Sequence, residues 1–183
     1  MSSENKGQVE PFRRIITTHN QDDTDGSSVT IHDDLINLKP VLDGNAHMSP
    51  LYSSSGLPSI NPHVISAQDI IGRMDEVKGV ALPGGTNGQV TDVEPNFLIK
   101  MHRTSSIDYN IMIKGSAYLI VPDGKGGETK TLVKAGELVV QTGTVHAWEA
   151  GPEGARWVTV VIAALPVEID CKDGTTLDDV DFK

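Results

Sequence analysis

The sequence predicts an all-β fold, a small barrel or sandwich of antiparallel strands with an extension at each end. Three observations carry this expectation. From Asn96 onward, apolar extended runs follow one another at short intervals. The turns between them are rich in glycine, as in PDGKGG at 122–127 and AG at 135–136. Closely spaced strands with such turns indicate an antiparallel barrel or sandwich. Finally, MHRTSSIDYNIMIKG at 101–115 and GELVVQTGTVHAW at 136–148 each place one histidine on an extended apolar segment beside a glycine turn.

In chain order, residues 1–11 are polar and read as a disordered start. FRRIITT at 12–18 is a strand candidate. NQDDTDGSS at 20–28 is a polar turn, after which SVTIH at 28–32 completes a hairpin with the first strand. Residues 35–62 scatter Gly, Pro and Ser with little periodicity. So long an irregular stretch is tolerated where it covers something, which makes it a lid candidate. AQDIIGRM at 67–74 reads as one or two helical turns capped by Ser66. ALPGGTNG at 81–88 is a turn. Strands are expected at 97–102, 109–121, 130–133, 138–141 and 156–163. The domain organisation expected is a domain over 12–163 with its barrel core at about 90–163, followed by an acidic tail or arm at 164–183.

Composition narrows the function classes. The chain has 183 residues, enough for one domain with a real core. Aromatics are only 4% of residues, so Val, Ile and Leu must fill that core. A formal charge of −10 argues against nucleic acid and against an anionic membrane surface, since both need a basic field. No apolar run approaches the ~20 residues needed to span a bilayer. The start MSSENKGQVEP lacks the apolar segment of a secretory signal. The single cysteine, Cys171, excludes an internal disulfide and sits in acidic surroundings unsuited to a reactive thiolate. A cytoplasmic protein is the expectation.

His102, Thr104 and Asp108 are separated by even steps, so on a regular strand they share one face. Trp148, two residues past His146, shares the face of that histidine and either lines a pocket or fills the barrel mouth. Asn110 and Gln141 are polar on otherwise apolar strands and are candidates for pocket hydrogen bonding. Arg103 alternates outward. Tyr109, Ile111 and Ile113 form a second apolar face, expected to pack against another sheet or across a dimer. His19, His32, His47 and His63 show no ligand spacing and are expected to face solvent, although His63 or Tyr52 reaches the barrel mouth if 35–62 is a lid.

These residues resemble the two motifs of the cupins, small jelly-roll barrels built as a double-stranded β-helix. The first motif is a His-x-His pair, a Glu and a closing Gly; here the matching positions hold His102, Thr104, Asp108 and Gly115. The second is a Gly, a Pro-x-Gly turn, a His and an Asn four residues on; here Gly136, Gln141-Thr142-Gly143, His146 and Ala150. The strings MHRT…DY and VVQTGTVHAW more closely resemble a subgroup of small single-domain cupins, often encoded beside natural-product biosynthesis genes in bacteria and fungi. An amino-terminal strand like FRRIITTHN occurs there too, so the resemblance covers residues 12–163. It implies a cupin barrel with an amino-terminal hairpin, a homodimer, and activity on a small molecule.

The chemistry implied is of two kinds. A cupin metal site offers three imidazoles and a carboxylate to Fe, Zn, Mn or Ni. Here Thr104 replaces one histidine and Asp108 is a methylene shorter than Glu. What remains is a His102, Asp108, His146 triad with open positions, the arrangement of a non-haem iron dioxygenase. The cofactor is left unknown, with the metal-free state favoured. Without metal, His102 and His146 serve as acid and base, oriented by Asp108, with Thr104 or Asn110 donating to a developing enolate. That chemistry fits a lyase or isomerase (dehydratase, decarboxylase or tautomerase) on a polyketide-like compound. Thr104, Asn110, Gln141 and Trp148 would contact substrate. The remaining alternative is a non-catalytic binding protein.

Overall fold

The computed structural model describes residues 9–170 and 175–181. The expectation of disorder at 1–11 falls mostly on residues outside that range, as does Cys171. Among the described residues the fold is all-β with one α-helix. Strands β1 (Phe12–His19) and β2 (Val29–Ile36) pair antiparallel in the expected hairpin, from Phe12↔Ile36 to His19↔Val29. Asp23 closes its loop by accepting from the backbone N–H groups of Asp25 and Gly26.

The stretch 35–62 is not an irregular lid. It contributes β3 (Lys39–Val41), a single 3₁₀ turn (Leu42–Gly44) and the ten-residue β4 (Ala46–Ser55) to the main sheet. Helix α1 (Ala67–Glu76) follows. Its start is fixed by a capping box, in which the Asp69 N–H donates to Ser66 Oγ and the Ser66 N–H to Asp69 Oδ2. The helix lies against β4: the Arg73 guanidinium sits 5.2 Å from the Tyr52 ring and donates to the Ser53 carbonyl. Tyr52 therefore packs beneath α1 rather than at the barrel mouth.

Strand β5 (Gly85–Val93) begins within the segment expected to be a turn. β6 (Leu98–His102), β7 (Ser106–Pro122), β8 (Glu128–Lys134), β9 (Leu138–Thr142) and β10 (His146–Ala163) complete the sheet. The order is β3-β4-β5-β10-β7-β8, with β6 on β10 and β9 on β7. The turn at 135–136 does not make a hairpin. β8 and β9 pair with opposite halves of β7 instead, so the chain passes from one layer to the other.

Two long strands, β7 and β10, run through both layers and bend together. Register shifts between Ala150 and Ala155 and between Arg156 and Trp157 mark the bend. Gly115 sits there at φ 70°, and a Cβ at that position would lie 2.0 Å from the Gly154 carbonyl oxygen. Only glycine permits so close a crossing. Gly115 is thus a bend inside a strand, not its end.

Between the layers lies a core of Ala46, Val93, Ile99, Met112, Trp148 and Trp157 with smaller partners. The two tryptophans stack with centroids 5.6 Å apart. Strand β7 inverts the usual pattern. Its inward residues begin Ser106, Asp108, Asn110, all buried, while Tyr109, Ile111 and Ile113 face outward and are 38–45% exposed. Among the described residues nothing covers that apolar face. Past β10, β11 (Glu168–Asp170) and β12 (Thr175–Thr176) pair with each other. The end of the tail returns to the barrel, where Arg103 and Val180 exchange both backbone hydrogen bonds. Among the described residues no helix is long and apolar enough to cross a membrane.

Candidate functional site

His102 ends β6 and His146 begins β10, and they are direct cross-strand partners. Their rings meet with centroids 4.2 Å apart at a 59° tilt. Each ring is fixed by the backbone two residues before it: His102 Nδ1 donates to the Lys100 carbonyl at 2.8 Å, and His146 Nδ1 to the Thr144 carbonyl, in the turn that precedes β10, at 2.9 Å. With Nδ1–H committed, Nε2 is the lone-pair nitrogen of each neutral ring.

Burial holds both rings below the ordinary imidazole range. For His102 the backbone carbonyl of Lys100 opposes this in part. For His146 burial acts first and the neighbouring His102 second, pushing the pKa down to about 4. Both imidazoles are therefore neutral at pH 7. A proton on one disfavours a proton on the other, so the pair holds at most one readily.

The two rings line a cavity of about 60 Å³ together with Asp108, Asn110, Gln141 and Trp148. A liquid-water share is about 30 Å³, so the chamber holds roughly two waters or a group of a few atoms. Six of the seven residues singled out from sequence thus meet at one place. The exception is Thr104. It lies in the turn between β6 and β7 and lines a separate cleft with Arg103, Ser105 and Asp179. The even spacing from His102 does not survive because the strand breaks at Arg103, which bonds to the tail.

Asp108 enters the cavity from β7, directly across from Gln141 on β9. It does not orient either imidazole: among the described residues no ion pair joins it to them, and backbone carbonyls set both tautomers instead. Its Oδ1 is buried with no hydrogen-bond partner. Burial raises its pKa above the ordinary carboxylate value. The Ser106 hydroxyl tempers the rise but does not reach hydrogen-bond geometry.

Asn110 is committed to a buried chain. Thr159 Oγ1 donates to Asn110 Oδ1 at 2.7 Å, and Asn110 Nδ2 donates to Gln141 Oε1 at 2.6 Å. The chain leaves Gln141 Nε2 as a buried donor without a partner. A buried donor and a buried acceptor, both left without partners at neighbouring positions of one cavity, are costly unless something polar satisfies them. Thr159, at the base of this chain, and Gln89 and Thr91 on β5, which line the cavity, were not anticipated from sequence. Their only signal is a polar residue at alternate positions of buried strands.

Among the described residues no three His, Cys, Asp or Glu side chains are placed to share a metal ion. Two adjacent imidazoles are two ligands. Asp108 does not join them, and Thr104 is elsewhere. The His102, Asp108, His146 triad expected from spacing is not assembled as a metal site.

No protein-family model matches the chain. It is 38% identical over 96 residues to the phomopsin biosynthesis cluster protein C′ of Diaporthe leptostromiformis, covering 51% of this chain and 49% of that protein. It is 26% identical to the oryzines biosynthesis cluster protein J of Aspergillus oryzae, over 91% of this chain and 92% of that one. It is 29% identical to the cupin-domain-containing oxidoreductase virC of Hypocrea virens, over 54% and 46%. The chain spans about half the length of the first and third of these. Among solved structures, an oxalate decarboxylase from Bacillus subtilis aligns at 16% identity and a TM-score of 0.47, over 76% of this chain and 30% of that one.

Proposed function

We propose that this chain, a cupin, is an enzyme that moves protons on a small carbonyl compound, as a lyase or isomerase of secondary metabolism. The observation that carries the reading is the pair of neutral imidazoles in contact, His146 buried and His102 half-buried, each with Nδ1 donating to a backbone carbonyl so that the lone pair lies on Nε2. The relatives support the setting, since those named above come from fungal biosynthesis clusters or are named as cupin oxidoreductases.

For dehydration the roles follow from the cavity. His146 Nε2, with His102 beside it, takes the proton on the carbon next to the carbonyl. The developing enolate oxygen accepts from Gln141 Nε2–H, which is otherwise unpaired. The β-hydroxyl leaves as water with the proton of Asp108, whose burial favours the protonated acid. The proton on His146 returns through solvent to Asp108. Asn110 and Thr159 aim Gln141 and touch nothing that reacts. Trp148 provides an apolar wall.

An oxidoreductase reading has the names of two relatives in its favour. It would need a metal or cofactor, and the two imidazoles alone do not make a three-ligand centre, so no step is derived through one. The outward face of Tyr109, Ile111 and Ile113, continued by Val140 and Val160 on the neighbouring strands, supports a homodimer.

The test is elimination of water from a panel of β-hydroxy ketones and esters, followed by enone absorbance and by deuterium incorporation in D2O. Turnover that falls by ~10²-fold or more in His146→Asn, with the melting curve retained, supports the proposal. Turnover that appears only with added iron and oxygen replaces it with the oxidoreductase reading. No turnover with intact ligand binding leaves a binding protein.

A further inference from the structure

The inner chamber is too small for a metabolite, yet it is not isolated. A cleft of about 700 Å³ lies beside it, between the end of β2, the β3–β4 edge and the end of α1. Met48, Val80 and Gln89 line both spaces, so the two share a wall. We infer that this cleft is an outer binding chamber for the uncharged, apolar body of a drug-sized molecule whose reactive end enters the inner chamber past Met48 and Val80.

The size falls in the ~300–1,000 Å³ range of small-molecule sites. Leu35, Val41, Pro50, Met74 and Val77 supply the apolar lining, and Leu35 is 64% exposed at its rim. An apolar side chain so exposed at a concave rim gains by covering with a ligand. The charges at the cleft cancel: Lys39 and Lys78 stand against Asp75 and Asp181, so the site favours no net charge on its ligand. The dividing wall can yield. Met48 is unbranched and fills space adaptably. Val80 lies in the irregular segment between α1 and β5, outside any strand.

This rests on the proton-transfer reading for the fate of the reactive end, but the binding stands apart from it. The probe is N-phenyl-1-naphthylamine, a neutral apolar dye that brightens on leaving water. One dye should bind per chain and slow the reaction of His102 and His146 with diethyl pyrocarbonate several-fold, followed by peptide mass spectrometry. Both tryptophans of the chain line the inner chamber, so bound dye should also quench their emission by energy transfer. Leu35→Asp, at an exposed position that tolerates charge, should weaken binding about tenfold. His146→Asn should leave dye binding unchanged while abolishing turnover; a variant that binds dye and keeps its turnover fails the catalytic reading alone. Dye that does not bind, binds equally well to Leu35→Asp, or binds without shielding the two histidines overturns the inference.

Discussion

Replacing Thr159 with valine removes one oxygen from the floor of the site and little volume. Thr159 is 3% exposed, and its hydroxyl is the donor that satisfies Asn110 Oδ1 at 2.7 Å. The variant leaves that carbonyl buried and unpaired, a cost of ~1–3 kcal/mol. The added methyl returns part of this, about 0.8 kcal/mol at most. A net loss of ~1–2 kcal/mol follows, which for a chain of this size lowers the melting temperature by roughly 2–8 °C. Urea unfolding should show a lower midpoint with an unchanged slope. The coupling is the sharper check. In Asn110→Leu/Thr159→Val both partners are apolar, so the double variant should lose at least ~0.5 kcal/mol less than the sum of the singles. Turnover should fall too, because Gln141 is no longer aimed. A loss below ~0.5 kcal/mol, or strict additivity, would refute the buried chain from Thr159 to Gln141.

Acidification should destabilise the protein through its site. The folded pKa of His146, about 4, lies below the ordinary 6.5, so this contribution is complete above pH 6.5 and is lost as pH falls toward 4. At pH 5 the loss is about 2 kcal/mol, and His146→Asn should remove that part of the pH dependence in urea titrations at pH 7 and 5. Asp108 works in the opposite sense: its raised pKa means relief on protonation, so Asp108→Asn should stabilise the protein at pH 7. On the outer face, Val140→Asp should convert a dimer to monomer in sedimentation velocity, while a wild type already monomeric removes the dimer proposal. Ser66→Ala should cost ~1 kcal/mol by uncapping α1, measured by urea unfolding.

What was legible in the sequence follows the chemistry of each strand. β7 and β10 are rich in β-branched and aromatic residues and broken by glycine turns, so they and the histidines beside them were readable. β4, AHMSPLYSSS, and β5, GTNGQVTDV, were not. They carry Pro, Gly, Ser and Asn, poor strand formers in isolation, and exist because each pairs along its length with a neighbour. Thr104 was misplaced because even spacing assumes an unbroken strand, and the break at Arg103 depends on a residue 77 positions away, Val180. Asp108 was rightly placed facing inward, but where it stands relative to the imidazoles is set by the β7–β10 register, with Asp108 opposite Val161, which no local pattern encodes. Gln141 was legible as a pocket residue. Its role as the open end of a hydrogen-bonded chain was not, since that depends on Asn110 and Thr159 from two other strands.

The central claim is that His102 and His146 are both neutral at physiological pH, with the proton on Nδ1 and the lone pair on Nε2. Long-range ¹H–¹⁵N correlation of the imidazole nitrogens, followed from pH 8 to pH 4 on the full chain and assigned with His102→Asn and His146→Asn, reads both properties at once. Two Nδ1–H tautomers are expected at pH 7, with a His146 midpoint near 4 and that of His102 below 6.5. An Nε2–H tautomer at either ring, or a His146 midpoint at or above 6.5, would contradict the claim.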